Sequence, residues 1–214
     1  AGSGESEIRK WIIENDWLET IVCLPDQMFF NTGITTYFWI VTNKKSENRK
    51  GKVQLIDGSK IYTQMKKSLG SKRKEISDDQ REVLYQEYQG FKETEISKIY
   101  PNEFFGYTKV VVEQPLTEGD EVVRNKSGDP KPDSKKRDNE RVPLSDDIDG
   151  YFDLEVKPHL NDSWMDRSKD KIGYEINFTK YFYKFKPLRS LEEITSELLG
   201  LEKDTEGLMK EILG

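Results

Sequence analysis

The segment at residues 35–42 constrains the fold most, because as a strand it has no polar face. It reads TTYFWIVT, and neither of its two alternating sets of side chains is polar. A strand without a hydrated face is covered on both sides, which is typical of α/β proteins. We therefore predict an α/β fold, and we expect residues 35–42 to form an antiparallel hairpin with a second strand at 52–57.

The segments around this strand alternate between helix and strand patterns. An amphipathic helix is predicted at 5–15, where Ile8, Trp11 and Ile12 share one face. A buried strand, LETIVCLP, follows and ends at Pro25. The order helix, strand, loop, strand, turn, strand fits the later part of an α/β sheet.

The rest of the chain divides by composition. A helix is predicted at 78–90, because Ser77 and Gln80 have the spacing of a capping box. Residues 117–150 contain no aromatic residue and are rich in Asp, Lys, Gly and Pro, which predicts a solvated, mobile loop. Strands are predicted in GYTKVVVEQPL and in the aromatic run YEINFTKYFYKFKP, which ends at Pro187.

Composition limits the chemistry of the chain. Cys23 is the only cysteine and His159 the only histidine, so neither an intrachain disulfide nor a Cys/His zinc site can be assembled. No apolar stretch is long enough to cross a membrane, and we expect a reducing, cytoplasmic setting. The net charge of -6 opposes non-specific binding of the whole chain to nucleic acid, although the stretch KKSLGSKRK is a candidate for local phosphate contacts.

The C-terminal segment carries a heptad pattern that predicts a helix with a narrow apolar stripe. The apolar members of the stripe, which are the candidate partner-docking residues, are Leu191, Ile194, Leu198, Leu201, Leu208 and Ile212. Two interpretations stay open at this point. The helix packs against its own domain, or it docks on a helix of a partner protein.

Two adjacent aromatic residues stand where a loop enters the strand at 35–42. Phe29 and Phe30 precede Asn31, Thr32 and Gly33, which have the composition of a turn. Packing in the core at a bend is the ordinary use of phenylalanine. Enzymes that modify a base, however, take the base out of the duplex and hold it against an aromatic face. Such a stack is worth about 1–3 kcal/mol per base.

Four longer stretches are specific enough to indicate a family. They read IIENDWLETIVCLPDQMFFNTGITTYFWIVTN, RKGKVQLID, KSLGSKRKEIS and DRSKDKIGYEINFTKYFYKFKPLRSLEEI. In this order, and over essentially the whole chain, they resemble the modification subunit of bacterial type I restriction-modification systems. That family consists of N-6 adenine DNA methyltransferases.

The resemblance implies methylation of adenine in DNA with S-adenosylmethionine as the cofactor. It also implies three protein partners: a specificity subunit, a restriction subunit and a second modification subunit. In related methyltransferases an aromatic residue at the strand entrance stacks on the flipped adenine. By resemblance that role falls on Phe29, with Phe30 as the next candidate.

Two motifs of that family are not found in these residues: the glycine-rich cofactor loop and the Asn-Pro-Pro-aromatic motif. We therefore expect the chain to be the C-terminal part of such a subunit, without catalytic, cofactor-binding or metal-binding residues of its own. By itself it should bind no S-adenosylmethionine and should be catalytically silent. If strands are missing upstream, the strand at 18–24 or the one at 35–42 has an unpaired edge.

The predicted organisation has four regions. The last strands of a methyltransferase-like sheet occupy 1–60, and a helical and strand extension occupies 61–116. A polar loop follows at 117–150, and a C-terminal region that ends in the partner-docking helix occupies 151–214. The alternative function is a non-catalytic assembly module that binds the specificity subunit and DNA.

Overall fold

The computed structural model describes residues 1–119, 121–185 and 187–213, with side chains described up to residue 203 and at residue 205. The chain forms two compact units, Ala1–Phe178 and Thr179–Gly214. The helices are α1 (Gly4–Glu14), α2 (Asp78–Gly90), α3 (Ile148–Tyr151), α4 (Phe178–Phe182) and α5 (Leu191–Leu213). The strands are β1 (Leu18–Cys23), β2 (Tyr37–Val41), β3 (Lys52–Asp57), β4 (Thr63–Leu69), β5 (Lys72–Glu75), β6 (Ser97–Pro101), β7 (Gly106–Glu113), β8 (Thr117–Glu118), β9 (Glu121–Val122), β10 (Asp138–Pro143), β11 (Trp164–Met165) and β12 (Lys171–Tyr174).

This mixture of helices and sheets confirms the predicted α/β class. The division into regions at residues 60, 116 and 150 stays a prediction. Among the described residues, no helix combines the length and the apolar character that crossing a bilayer requires.

The first sheet has the strand order β2-β1-β3-β6. β1 is parallel to β3, with Ile21 opposite Leu55, and antiparallel to β2, with Ile21 opposite Trp39. All six residues of β1 are buried, because this strand has a neighbour on each side and covered faces. β1 is therefore the centre of the first core.

The predicted hairpin between 35–42 and 52–57 is wrong, because β1 lies between β2 and β3. β2 is instead an edge strand of the described sheet, and Tyr37, Phe38 and Trp39 are 41%, 44% and 37% exposed. The prediction that this strand is covered on both sides is therefore also wrong within the described residues. Within the described residues, β2 and β6 are the two edge strands of this sheet, and β1 has a neighbour on each side.

The connection between β2 and β3 explains the unexpected pairing. It is highly charged, but two of its cations are buried. Lys45 Nζ donates to Asp16 Oδ1 (2.6 Å) and to the Lys52 carbonyl oxygen (2.7 Å). Arg49 Nη1 donates to the side-chain oxygen of Gln54 (3.1 Å). These contacts hold the connection near the start of β1, so that β3 pairs with the side of β1 that β2 does not occupy.

Helix α2 has the predicted bounds and the predicted cap. The Gln80 N–H donates to Ser77 Oγ (3.3 Å), and the Ser77 N–H donates to Gln80 Oε1 (3.0 Å). At the other end of α2, the Arg49 guanidinium lies 4.5 Å from the ring centre of Tyr88 and 4.3 Å from that of Phe91. This cation therefore ties α2 to the sheet.

Helix α1 buries the side that carries Ser6 and Ile13 instead of the predicted apolar face. Ile8 and Trp11 are 59% and 57% exposed, whereas Ser6 is buried. The reason is the position of β12 beside the helix. The Tyr174 N–H donates to Ser6 Oγ (3.3 Å), and Arg9 Nε donates to the Tyr174 carbonyl oxygen (3.0 Å).

The second sheet is built around β7, which pairs antiparallel with β10, β11 and β12. The segment 117–150, which composition predicts as a polar loop, contains β8, β9, β10 and the start of α3, so that prediction is wrong over these elements. Val142 is the one buried residue of β10, opposite Thr108 of β7. A strand with a single buried residue lacks the alternating pattern that identifies strands in a sequence.

The predicted strand in the aromatic run is wrong after Tyr174, where β12 ends. Residues Phe178–Phe182 form α4 instead. The aromatic residues Phe178, Tyr181 and Phe182 are spaced three and four apart, which suits one face of a helix.

A buried carboxylate lies at the end of the central strand of the second sheet. Glu113 at the end of β7 is 2% exposed, and its Oε1 accepts hydrogen bonds from Arg137 Nε (2.8 Å) and Lys169 Nζ (3.0 Å). Burial by itself would raise the pKa of Glu113, but the hydrogen bonds from Arg137 and Lys169 outweigh it, so the pKa lies below its usual value. The ion pairs therefore favour the folded state most where the carboxyl is ionised.

The first prediction concerns this carboxylate. Glu113→Gln keeps the side-chain shape and removes the charge, so the free energy of unfolding near neutral pH should fall by about 1–3 kcal/mol, as for other hydrogen bonds to charged groups. The contribution of a carboxyl with a lowered pKa is complete above the unfolded value and is lost as the pH falls through the folded value. The difference between variant and parent should therefore shrink below about pH 4.

Urea titrations at several pH values measure this difference. Glu118→Gln, which removes the same charge from an exposed position on β8, is the matched control and should leave stability unchanged. A difference that stays constant at every pH would contradict the assignment.

Candidate nucleic-acid interface

The aromatic loop, which we define as residues 26–34, joins β1 to β2 and turns tightly at its tip. Phe29 and Thr32 pair as an isolated antiparallel bridge. This pairing places Phe30 and Asn31 at the tip, so the two phenylalanines of the sequence prediction lie side by side on one tight turn.

Both phenylalanines are accessible to solvent. Phe29 is 46% exposed and Phe30 is 59% exposed, so neither belongs to the hydrophobic core. Lys72 Nζ lies 5.5 Å from the ring centre of Phe30, within the range of a cation–π contact. The Phe29 ring has no aromatic or cationic partner in the part of the chain that the structure describes. A planar ligand can therefore reach Phe29 without displacing a side-chain partner of that kind.

The basic hairpin, which we define as β4, β5 and the turn between them, supports the aromatic loop through its backbone. The Ser71 N–H donates to the Phe30 carbonyl oxygen (3.0 Å). The N–H groups of Arg73 and Lys74 both donate to the Gln27 carbonyl oxygen, at 2.9 and 3.2 Å. Three main-chain hydrogen bonds thus fix the loop that carries the phenylalanines.

Gly70 allows this close approach. Its φ is +63°, and a Cβ at this position would lie 2.8 Å from the Phe30 carbonyl oxygen. Only glycine adopts such a conformation without strain and leaves room for the neighbouring carbonyl. Gly70 therefore positions Phe30 from the turn of the basic hairpin.

An ion pair adds a second link between the loop and the hairpin. Lys74 Nζ donates to Asp26 Oδ1 (2.5 Å) and lies 3.9 Å from the ring centre of Tyr62. The hydrogen bond to Asp26 raises the pKa of Lys74 above its usual value. The ion pair therefore favours the charged form of Lys74.

An open groove of about 730 Å³ lies between the first sheet and α2. Its walls include Val22, Met28, Phe38, Ile40 and Leu84, so its floor is mostly apolar. The volume is within the range of sites for small organic molecules, about 300–1,000 Å³. Met28 places one end of this groove at the base of the aromatic loop.

The remaining residues of chemical interest lie apart from the aromatic loop or are unreactive. Burial, helped by the charge of Asp57, raises the pKa of the Cys23 thiol to about 11, so this cysteine is not a nucleophile near neutral pH. His159 is exposed on the turn after α3. Within the described residues, no group of three or more His, Cys, Asp or Glu side chains is arranged to hold a metal ion.

S-adenosylmethionine does not fit the residues present. In the family that the sequence resembles, the cofactor-binding loop is a glycine-rich turn that follows a strand. Among the described residues, β5 leads into α2 through Ile76 and Ser77, without glycine. Gly58, which follows β3, faces the Cys23 carbonyl oxygen, only 2.7 Å from where a Cβ would lie. This glycine therefore serves close packing and leaves no space for a ligand.

The stripe of the C-terminal helix is exposed wherever its side chains are described. Leu191, Ile194, Leu198 and Leu201 are 83%, 39%, 61% and 57% exposed. The side chains of the other two predicted docking residues, Leu208 and Ile212, lie outside the described part of the structure.

The sequence did not reveal that the basic hairpin supports the aromatic loop. The stretch KKSLGSKRK is visible as a cluster of charge, but its contacts are made by main-chain N–H groups that every residue carries. The one signal was Gly70 between Leu69 and Ser71, which marks a turn with positive φ.

Comparison with known proteins gives a family match and several partial relatives. A family model described as N-6 DNA methylase matches residues 1–127. The methylase subunit of the type I restriction enzyme MjaIX from Methanocaldococcus jannaschii is 40% identical over 65 residues, which is 30% of this chain and 12% of that protein. The HindI methylase subunit from Haemophilus influenzae is 44% identical over 59 residues, which is 28% of this chain and 13% of that protein.

A solved structure also resembles part of the chain. It is the methyltransferase subunit of a type I restriction-modification system from Streptococcus thermophilus, with 27% identity and a TM-score of 0.42 over 49% of this chain and 21% of that one. The chain thus spans only about an eighth of the length of each of these two curated relatives. The family match at 1–127 includes the aromatic loop and the basic hairpin, whereas α5 lies outside it.

The second prediction concerns Gly70. Gly70→Ala should strain the turn and push the Phe30 carbonyl away, which lowers the free energy of unfolding by about 1–3 kcal/mol. Hydrogen exchange at the Ser71 amide should become faster, because its acceptor is displaced. Gly119→Ala is the matched control, since Gly119 has the same φ of +63° but open space around the position of a Cβ.

In the control, the free energy of unfolding should fall only by the cost of the positive φ, and the rate of hydrogen exchange at the Ser71 amide should not change. Equal exchange at Ser71 in both variants would show that Gly70 does not position the loop.

Proposed function

Because this chain belongs to the N-6 DNA methylase family, we propose that it is part of an enzyme that methylates the exocyclic amino group of adenine in DNA. S-adenosylmethionine is the methyl donor in this proposal. DNA, a specificity subunit, a restriction subunit and a second modification subunit are the partners, and the assembly works in the cytoplasm.

The observation that carries the proposal is the exposed pair Phe29 and Phe30 on a fixed loop. An adenine in a duplex is stacked between its neighbours, so an enzyme must extrude it before the amino group can react. An exposed aromatic face next to the reaction site replaces the lost stacking and is worth about 1–3 kcal/mol. The exposure of Phe29 and its lack of a ring or cation partner among the described residues favour Phe29 as this face.

Rigidity of the loop is the second requirement. A stacking platform that moves would have to be ordered when the base arrives, and the cost of ordering would reduce the benefit of the stack. The backbone hydrogen bonds from Ser71, Arg73 and Lys74 hold the aromatic loop before any base is present. The chain thus supplies a preformed platform for the base.

The donor side of the reaction does not involve these residues. Among the described residues, no glycine-rich turn leads from a strand into a helix, and that this chain alone binds no S-adenosylmethionine stays a prediction. No step of methyl transfer is therefore assigned to a side chain of this protein, and its contribution is to hold and orient the adenine.

The third prediction tests the base platform. In the assembled methyltransferase, Phe29→Ala should lower the rate of adenine methylation about 5- to 150-fold, as the loss of about 1–3 kcal/mol of stacking requires. Phe29→Tyr should retain most of the activity, because the ring is kept. Because Phe29 is half exposed, the melting temperature should change by only a few degrees.

Phe104→Ala is the matched control, since Phe104 is also 46% exposed but follows β6, at the opposite edge of the first sheet. This variant should methylate DNA at the parent rate. If Phe29→Ala melts early and methylates normally at low temperature, Phe29 has a packing role only.

A second function is favoured by a separate observation, the exposed stripe of α5. A row of leucines at heptad spacing on an accessible helix suits docking on a helix of another protein. We therefore keep the alternative that the chain is a non-catalytic assembly module which binds the specificity subunit and DNA. The two functions are compatible within one assembly.

The fourth prediction concerns this helix. When the chain is produced together with the specificity subunit, Leu198→Ser combined with Leu201→Ser should reduce co-purification of that subunit at least tenfold, because two apolar anchors are lost. Glu192→Ser combined with Lys203→Ser is the control on the same helix, at heptad positions that neither belong to the stripe nor flank it. If both variants co-purify with the specificity subunit as the parent chain does, α5 does not dock on that subunit.

A further inference from the structure

The basic hairpin concentrates positive charge. Its 13 residues, 63–75, contain five cations and one carboxylate, Glu75, in a chain with a net charge of -6. Charges farther away than about 8 Å are largely screened at physiological ionic strength. The negative charge of the rest of the chain therefore does not cancel the positive field around this hairpin.

Most of these cations are not used by the fold. Lys74 is paired with Asp26, but Lys66, Lys67 and Arg73 are exposed and form no ion pair with any residue that the structure describes. Cations that serve only solubility are usually interspersed with carboxylates on a surface. Here they are adjacent in sequence and share one hairpin.

The hairpin is also attached to the aromatic loop. The Ser71 N–H donates to the carbonyl oxygen of Phe30, and Lys72 Nζ lies above the Phe30 ring. The unpaired cations are therefore in the same rigid substructure as the proposed base platform. A DNA strand that delivers a base to Phe29 brings its own phosphates close to the aromatic loop, because each base is joined to the backbone by a single sugar.

From this arrangement we propose that the basic hairpin binds the phosphate backbone of DNA next to the nucleotide whose base stacks on the aromatic loop. The inference rests on the proposed function and adds a second contact, made by Lys66, Lys67 and Arg73. The contact is electrostatic and independent of base sequence, since a lysine ammonium is attracted to the charge of the phosphate and does not contact the base. Its role is to hold the strand in register while the base is extruded.

The salt dependence of binding distinguishes a phosphate contact from a general surface effect. Each phosphate that a cation neutralises contributes about 0.9 to the slope of log K against log salt concentration. Removal of Lys66 and Lys67 should therefore lower the slope by about 2. The loss should be the same for duplexes of different sequence, because no base edge is read.

The experiment uses the full 214-residue chain and a short fluorescein-labelled DNA duplex, with anisotropy measured over a range of salt concentrations. Lys66→Gln combined with Lys67→Gln is the test variant. Lys135→Gln combined with Lys136→Gln is the control, because these adjacent lysines are also exposed and form no described ion pair. We expect the slope to fall by about 2 and the affinity at low salt to fall at least tenfold in the test variant alone.

Three results would overturn the proposal. The first is a parent chain without salt-dependent binding to DNA, and the second is an equal loss of slope in the test and control variants. The third is an unchanged slope on DNA together with lost binding to poly-glutamate, which would assign the hairpin to an acidic protein surface.

Failure of the proposed function gives a different result. In one outcome, Phe29→Ala leaves methylation unchanged in the assembled enzyme while the lysine variant of the hairpin still shows a smaller salt dependence of DNA binding. In that case the proposed base platform is wrong and the proposed phosphate contact stands. If Phe29→Ala reduces methylation but the slope of the hairpin variant is that of the parent, the platform stands and the phosphate contact is wrong.

Discussion

Arg49 is charged and only 6% exposed, and its guanidinium lies between the rings of Tyr88 and Phe91. Burying an unpaired cation would cost several kcal/mol. The cost is offset here by hydrogen bonds to the Gln54 side chain and the Tyr88 carbonyl oxygen, and by the carboxylate of Glu19 at 3.8 Å. Because these partners come from β1, β3, α2 and the residue after α2, this side chain links the helix to the sheet, together with the hydrogen bond from Gln54 Nε2 to the Glu87 carbonyl oxygen (2.8 Å).

The position of the candidate site follows from that contact. The basic hairpin is joined to β3 at one end and to α2 at the other by short connections, so fixing α2 restricts both ends of the hairpin. The hairpin in turn holds the aromatic loop through Ser71, Arg73 and Lys74. An exposed platform is thereby made rigid by a cation that is buried elsewhere in the same unit.

The sequence predicted those parts of the fold in which local chemistry decides the structure. The capping box at Ser77 predicted α2 to the residue, and the apolar run predicted β1, because both signals are contained in a few adjacent positions. The pairing of β3 with β1 was not predictable, since it depends on Lys45 and Arg49 being buried within a stretch that reads as a solvated turn. β10 was missed for a related reason, because Val142 is its one buried residue.

The candidate site shows the same limit. The Phe29–Phe30 pair stood out in the sequence, but residue type does not distinguish a core aromatic from an exposed one. Leaving about 100 Å² of an aromatic ring in water forgoes about 2 kcal/mol of hydrophobic stabilisation at the usual coefficient. A stack on an extruded base is worth about 1–3 kcal/mol, so the exposure of each ring is recovered when a base binds. The hydrophobic stabilisation that is lost because Phe29 is exposed is therefore similar in size to the stacking free energy that an extruded base regains on this ring.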